Sequence, residues 1–488
     1  MASSAKTDAR AADAHEVRER SAGFRKELGL GNLVLTQIMF VMGASWVGAA
    51  AKLGQAQVVF WLLAITLFYI PQAITVIYLN TRMPLEGGLY QWAKMGFNEF
   101  TGFLVGWNLW LFTITVMSAL AIGAATTFAY AIAAHGTRTL VTPRYLAISS
   151  TVLILVMMLV AIVGLRLGKW VHAAGGIAQL LTFLALVAAP FLVLLHGGLK
   201  SYHPLAIVVP TISLFSLNVF GKMGMGALSG LEYVAILAGE CRNPARSIGR
   251  SVIVAIPVVG LLFILGTASV LAFVPQGSID LISPIPQALR IAFPGAGIAA
   301  VLVPMLILFL FARTVADMSY VFTGNTRLPM VAGWDGLLPS WFSRLDSRFR
   351  TPRNSILFVG AATLVFALLS LVGVGAQEAF QLIDNAAGIF YALAYLVMFA
   401  LPLAGVAGIA RRAPWWLKLA AGSGFATTLL YTVLSVFPII DVPSWGSFAA
   451  KIIVVIVGAN IVGALLFFVS GRRRADPAAP AAADASRV

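Results

Sequence analysis

Cysteine is almost absent: Cys241 stands alone among 488 residues, which excludes an intrachain disulfide and leaves the redox compartment unread. Histidine is scarce, and His15, His135, His172, His196 and His203 fall at no spacing that would gather a metal ion. No GxxxxGK[ST] loop is present to cradle nucleotide phosphates, which argues against an ATP-driven pump. Charge is thin at 10% of residues, and no catalytic constellation stands out within it, so neither an enzyme nor a cofactor is expected. The polar first thirty residues lack the short apolar core and cleavage site of a secretory leader. The first apolar run is therefore expected to act as an uncleaved insertion signal.

What is there is apolar. Sixty per cent of residues are hydrophobic and the mean hydropathy is +0.92, more than a soluble chain of this length can bury, so lipid must be the solvent. Apolar runs lie at 31–54, 56–80, 97–134, 144–166, 168–196, 208–239, 248–274, 295–323, 353–373, 378–404, 414–438 and 445–470. Each reaches the roughly 20 residues that span a bilayer. With the N-terminus inside, 25 of the 33 Lys and Arg residues fall on the cytoplasmic side and 6 outside, with Lys222 and Arg313 within spans. This asymmetry puts both termini in the cytoplasm, which requires an even number of spans and favours reading the long third run as one. It also explains the net charge of +15 without nucleic acid. The expectation is an all-α polytopic plasma-membrane protein of twelve transmembrane helices between cytoplasmic tails at 1–30 and 471–488, the second Ala/Pro-rich and disordered.

The most informative stretch is Thr211 to Arg246, where Gly221, Gly224, Gly226 and Gly230 interrupt a span-length run and Glu232 follows among apolar residues. A broken helix is tolerated in a membrane only where its freed peptide groups line a cavity, and a carboxylate at that depth marks function by default. The first run is interrupted in turn at Met42-Gly43-Ala44-Ser45-Trp46. Interruptions at matching positions of two five-span units predict an inverted-repeat transporter, with repeats at about 31–196 and 208–404 and two further helices at 414–470.

From about Gly31 to Arg353 the sequence resembles the amino acid–polyamine–organocation (APC) transporters. Pro84-Leu85-Glu86-Gly87-Gly88-Leu89-Tyr90 looks like P-x-x-G-G-x-Y, and Gly102-Phe103-Leu104-Val105-Gly106-Trp107 like G-F-x-x-G-W. Gly230-Leu231-Glu232 and Glu240-Cys241-Arg242-Asn243-Pro244-Ala245-Arg246 are similar to G-F-E followed by E-x-K-N-P-x-R. Gly324-Asn325-Thr326-Arg327, Asp335-Gly336-Leu337-Leu338-Pro339 and Thr351-Pro352 resemble G-A-S-R, D-G-x-L-P and T-P. The resemblance implies a LeuT-like fold of 5+5 inverted repeats with helices 1 and 6 broken, and secondary active transport of amino acids by alternating access. A polyamine or amine carrier of the same family, or a sensor that binds without transporting, stays open beside it.

Backbone chemistry agrees with such a site. Amides of Gly43, Ala44 and Ser45, beside Trp46, lie at a positive helix end and suit a carboxylate. Carbonyls around Gly226, Ala227 and Leu228, followed by Ser229 and Gly230, suit an ammonium. The alternative is that these glycines serve only tight packing. Glu232 is read either as a gating or proton-coupling carboxyl or as a staple to a neighbouring span. A proton, a sodium ion or a counter-substrate is open as coupling partner.

Two departures from the family pattern stand out. Gln179 occupies the place of a lysine of some proton-coupled members, and Gly226 that of a bulky aromatic gate, leaving Trp46 or Trp110 to supply one. Arg313 and Asp317 share a helix face and are expected as a buried ion pair, with an ion pathway as the alternative. Lys222 is expected to snorkel outward in preference to pairing a second carboxylate. Asp384, beside Asn385, is placed toward the outer vestibule, His172 at the interface, and Glu240 at the cytoplasmic end beside Arg242 or Arg246.

Overall fold

The computed structural model describes residues 29–475 except 86, 133–139, 196–204, 206, 237–240, 242, 294–296, 298, 327–338, 350, 372–375 and 406–412. Glu240, Arg242, Arg327 and the Asp335-Gly336-Leu337-Leu338 motif lie outside the described residues, as does most of both tails. Within them the chain is helical almost throughout, since in hydrocarbon a helix satisfies its own backbone polar groups. Among the described residues, ten helices are long and apolar enough to cross a membrane.

In chain order, α1 (Leu30–Val41) and α2 (Ala44–Ala51) make up the first apolar run. The second run is α3 (Gln57–Ala64), a π-helical turn over Ile65–Tyr69 and α4 (Ile70–Arg82). Pro71 accounts for part of this. Without an N–H it leaves the carbonyl of Leu67 unserved, and Ser423 Oγ (2.7 Å) and Thr427 Oγ1 (3.4 Å) from a distant helix donate to it instead. The short α5 (Leu89–Gly96) then leads into α6 (Glu99–Ile132), a single helix. At 34 residues it is about 50 Å long, well over a hydrocarbon core of roughly 30 Å.

Next come α7 (Pro143–Val163) and α8 (Leu165–Leu195). The sixth run starts with α9 (Leu214–Gly221), whose N-terminus carries a capping box between Ser213 and Ser216. It continues as a π-helical turn over Lys222–Ala227 and ends in the one-turn α10 (Tyr233–Ile236). The remainder is α11 (Pro244–Phe273), the short α12 (Pro284–Ala292), α13 (Ala299–Asn325), α14 (Arg353–Ser370), α15 (Ala376–Ala404), α16 (Trp415–Leu434) and α17 (Trp445–Ala475). The residues of α12 lie between the seventh and eighth apolar runs, and nine residues with two prolines are too short to span a membrane.

The long α6 is the post around which the site is arranged, packing against α13 on one side and α15 on another. The half-helix α1 lies against α8 and α11, where Gln37 Nε2 donates to Ser251 at 3.1 Å. Trp61 stacks on Phe263 with centroids 4.6 Å apart and donates to Thr267, tying the second run to α11. Polar ties of this kind fix register where lipid supplies little hydrophobic drive between helices. Outside the spans, the backbone amides of Phe349 and Arg348 hold the Asp346 carboxyl below its ordinary value. They fold the loop that precedes α14.

Candidate functional site

The first apolar run leaves the helical path at Met42–Gly43. The Gly43 amide turns back to the Val41 carbonyl at 2.9 Å, so it differs from the expected role as a free donor. Among the described residues, the amides of Ala44 and Ser45, first in α2, carry no backbone partner. In the sixth run, residues 229–232 are non-helical, at the C-terminal end of the stretch that the glycines mark. Gly230 takes φ +116°, which a Cβ disfavours, and its amide donates to Tyr395 Oη at 2.8 Å. Among the described residues, the carbonyls of Gly226, Ala227 and Leu228 accept no backbone hydrogen bond.

Both interruptions border one cavity of about 130 Å³. Its wall includes Gly43, Ala44, Ser45, Trp46, Gly226, Ala227, Ser229 and Asp317; Leu228 and Gly230 are buried behind it. A cavity of roughly 150 Å³ holds a benzene-sized guest, so the room suits a small solute. The indole of Trp46 crosses the gap between the two runs: a Cβ built on Gly226 would sit 2.7 Å from its ring. Trp110 instead stacks on Phe358 and packs on Trp107. Of the two gate candidates, only Trp46 touches the interruption.

A constriction of about 20 Å³ lined by Trp46, Ala49, Lys222 and Asp384 adjoins the cavity, and it shares Gln377 and Ile439 with an open vestibule of about 940 Å³. The segment around α12 roofs the cavity, contributing Ile282, Ser283 and Pro286 to its wall. Asp280 fastens that roof: it accepts from Tyr130 Oη (2.9 Å), Gln377 Nε2 (2.6 Å) and the amide of Ile282 (2.9 Å).

The charged residues are placed less as expected. Lys222 does not snorkel outward. It is buried, because the π-helical turn aims it at α15, where Nζ donates to Asn385 Oδ1. Arg313 and Asp317 do pair, Nη2 to Oδ2 at 3.2 Å, in the cavity wall. Asp384 lines both the cavity and the constriction. The His172 ring meets Tyr320 edge-on, and its Nε2 is buried without a hydrogen-bond partner among the described residues.

Glu232 is buried outside the cavity wall and ties the sixth run to two helices. Tyr391 and Tyr395 of α15 donate to its two oxygens, and Gln72 of α4 donates to Oε2 at 3.3 Å. Sequence reasoning named none of these three partners. The i, i+4 spacing of the tyrosines puts them on one helix face, but nothing local pairs them with a residue some 160 positions away.

Gln179 donates from Nε2 to the Met42 carbonyl at 2.8 Å, holding α8 to the end of α1. Gln179→Leu orphans that buried carbonyl and is expected to cost about 1–3 kcal/mol. A fall in detergent thermal stability would be the measurement, and an unchanged melting temperature would remove the bond from the account.

A family model described as amino acid permease matches residues 29–459. An uncharacterised transporter of Legionella pneumophila is 25% identical over 388 residues, 77% of this chain and 80% of that one. The probable agmatine/putrescine antiporter AguD of Lactococcus lactis is 23% identical, covering 66% and 67%. The branched-chain amino acid permease BcaP of Lactococcus lactis is 24% identical, covering 73% and 78%. Among solved structures, MhsT in complex with L-phenylalanine superposes with a TM-score of 0.63 at 13% identity, over 84% of this chain and 99% of that one.

Proposed function

The chain belongs to the amino acid permease family and has a LeuT-like fold, and from that premise we propose that it moves amino acids or related amines across the plasma membrane by alternating access. It is a transporter by family and not an enzyme. On this reading the two interrupted runs add two crossings to the ten long helices, for twelve in all, with both termini cytoplasmic. The two five-span units rock about a solute held at Ala44, Ser45 and Trp46 on one side and Gly226, Ala227 and Ser229 on the other.

One observation carries the reading: free amides of one interrupted run and free carbonyls of the other border the same small cavity. Amides at the start of α2 complement a carboxylate and the carbonyls complement an ammonium, so a zwitterion is matched at both ends without any charged side chain. The named substrates of the relatives support it, since branched-chain amino acids, agmatine and putrescine all carry an amino group.

Purified protein in liposomes, offered a panel of amino acids and amines under imposed proton, sodium and counter-substrate gradients, tests the proposal. Saturable uptake above empty liposomes is expected for at least one solute. Specific binding with no flux under any gradient would make the protein a sensor and overturn the transport reading.

A further inference from the structure

Two aromatic rings stand in the cavity wall beside its two interruptions, each seated on a glycine of the opposite run. Trp46, just after the first interruption, lies over Gly226, just before the second, where a Cβ would stand 2.7 Å from its ring. Phe40, just before the first interruption, lies over Gly230, within the second, where a Cβ would stand 2.3 Å from its Cδ1 and Cε1. The φ of +116° at Gly230 disfavours any larger residue, which keeps that seat open. The two contacts are thus reversed copies of each other. Trp46 borders the constriction on the vestibule side, whereas Phe40 lines neither the constriction nor the vestibule.

Phe40 also divides the packing of its own helix. Near the start of α1, Leu33 clusters with Val234 of α10, with Cys241 and with Ile248 of α11. At the end of α1, Phe40 packs instead against an apolar cluster drawn from α6, α7, α13 and α14, and it meets Tyr320 of α13 edge-on with centroids 5.7 Å apart. The start of α1 can therefore part from that second group of helices together with α10 and α11, its Leu33 contacts intact, once the Phe40 ring is drawn out. Close packing over a small residue is what holds helices together where lipid supplies little hydrophobic drive, so this ring on its glycine is a hold that a single side chain can release.

We propose that Phe40 is the latch of the face opposite the vestibule. With the ring on Gly230 the cavity is shut on that face, and lifting the ring opens it to the solute. The inference rests on the cavity being the transport site, and it deepens that reading by naming the residue that governs access from one face.

Thiol labelling of membrane vesicles tests it. Cys241→Ser removes the sole cysteine, and Gly123→Cys puts a reporter in the cavity wall, where an added Cβ meets nothing within 4 Å. The probe is a membrane-impermeant cationic methanethiosulfonate, applied to right-side-out and inside-out vesicles. On the twelve-span reading the inside-out vesicles present the start of α1. Phe40→Ala should raise the labelling rate at least fivefold in inside-out vesicles and by less in right-side-out ones, with Phe40→Tyr below Phe40→Ala. A smaller rise, or one matched in right-side-out vesicles or by Phe40→Tyr, overturns the inference. Should Phe40→Ala fail to fold, Phe40→Leu is read by the same criterion. Solutes that the wild-type protein takes up separate the latch from the site. Labelling that none of them slows takes the transport site out of this cavity, and the latch with it. Protection by a solute together with an unmoved rate in Phe40→Ala keeps the site and sinks the latch.

Discussion

Gly226→Trp abolishes solute binding, with a fall in affinity of at least 100-fold, or about 2.7 kcal/mol. The reason lies in how the indole of Trp46 is seated. A Cβ on Gly226 would stand 2.7 Å from Cη2 and 2.8 Å from Cζ3 of that ring, and a Cβ on Gly43 would crowd its other edge. The ring is thus laid between two positions that tolerate no side chain. Even alanine at 226 obliges it to shift by several tenths of an ångström. A second indole has no route except into the cavity of about 130 Å³, where it replaces the solute and covers the carbonyls of Gly226 and Ala227. Overpacking of this sort costs roughly 1–3 kcal/mol, so the variant should fold and be purified with a modestly lowered melting temperature. Equilibrium binding of the solutes that the wild-type protein takes up is the measurement, with Gly226→Ala expected in between. Wild-type affinity in Gly226→Trp would place the solute elsewhere.

The geometry behind that expectation was legible in unequal parts. An all-helical membrane protein was fixed by apolar runs of bilayer length, because each helix must bury or expose its own lipid-length stripe, and ten such helices are present. The single helix of the long third run followed from the distribution of basic residues, a global count that needs no contact information. Side-chain partnerships were not legible. Lys222 looked like an outward-reaching lysine because its neighbours in sequence are apolar. Its buried bond to Asn385 exists because a π-helical turn rotates it toward α15, and no local pattern announces such a turn. The same holds for Trp46, one of two tryptophans equally eligible as a gate until packing put Trp110 against Phe358. Pro71 was visible, but the hydroxyls of Ser423 and Thr427 that serve the carbonyl it frees lie more than 350 residues away.

Glu232→Gln separates the two roles that the sequence left open for this carboxyl. Three donors, from Tyr391, Tyr395 and Gln72, converge on its two oxygens, and Tyr395 also receives the amide of Gly230 and the side chain of Gln72. An acceptor-only group suits that convergence, and an amide does not, because its NH₂ must face a hydroxyl or another NH₂ that is already donating. The mismatch falls where α4, α15 and the non-helical part of the sixth run meet, and in a buried network it is expected to cost about 1–3 kcal/mol. If Glu232 is the staple that this geometry describes, Glu232→Gln lowers the melting temperature by several degrees and slows uptake at every pH by a similar factor. Glu232→Ala, which strands all three donors and opens a void, is worse still, by about 3–5 kcal/mol. If instead the carboxyl carries a proton through the cycle, the glutamine variant keeps its stability and loses the pH dependence of uptake. Melting curves and pH profiles taken on the same preparation therefore decide between them. A preserved melting temperature with a flattened profile would end the structural account of Glu232.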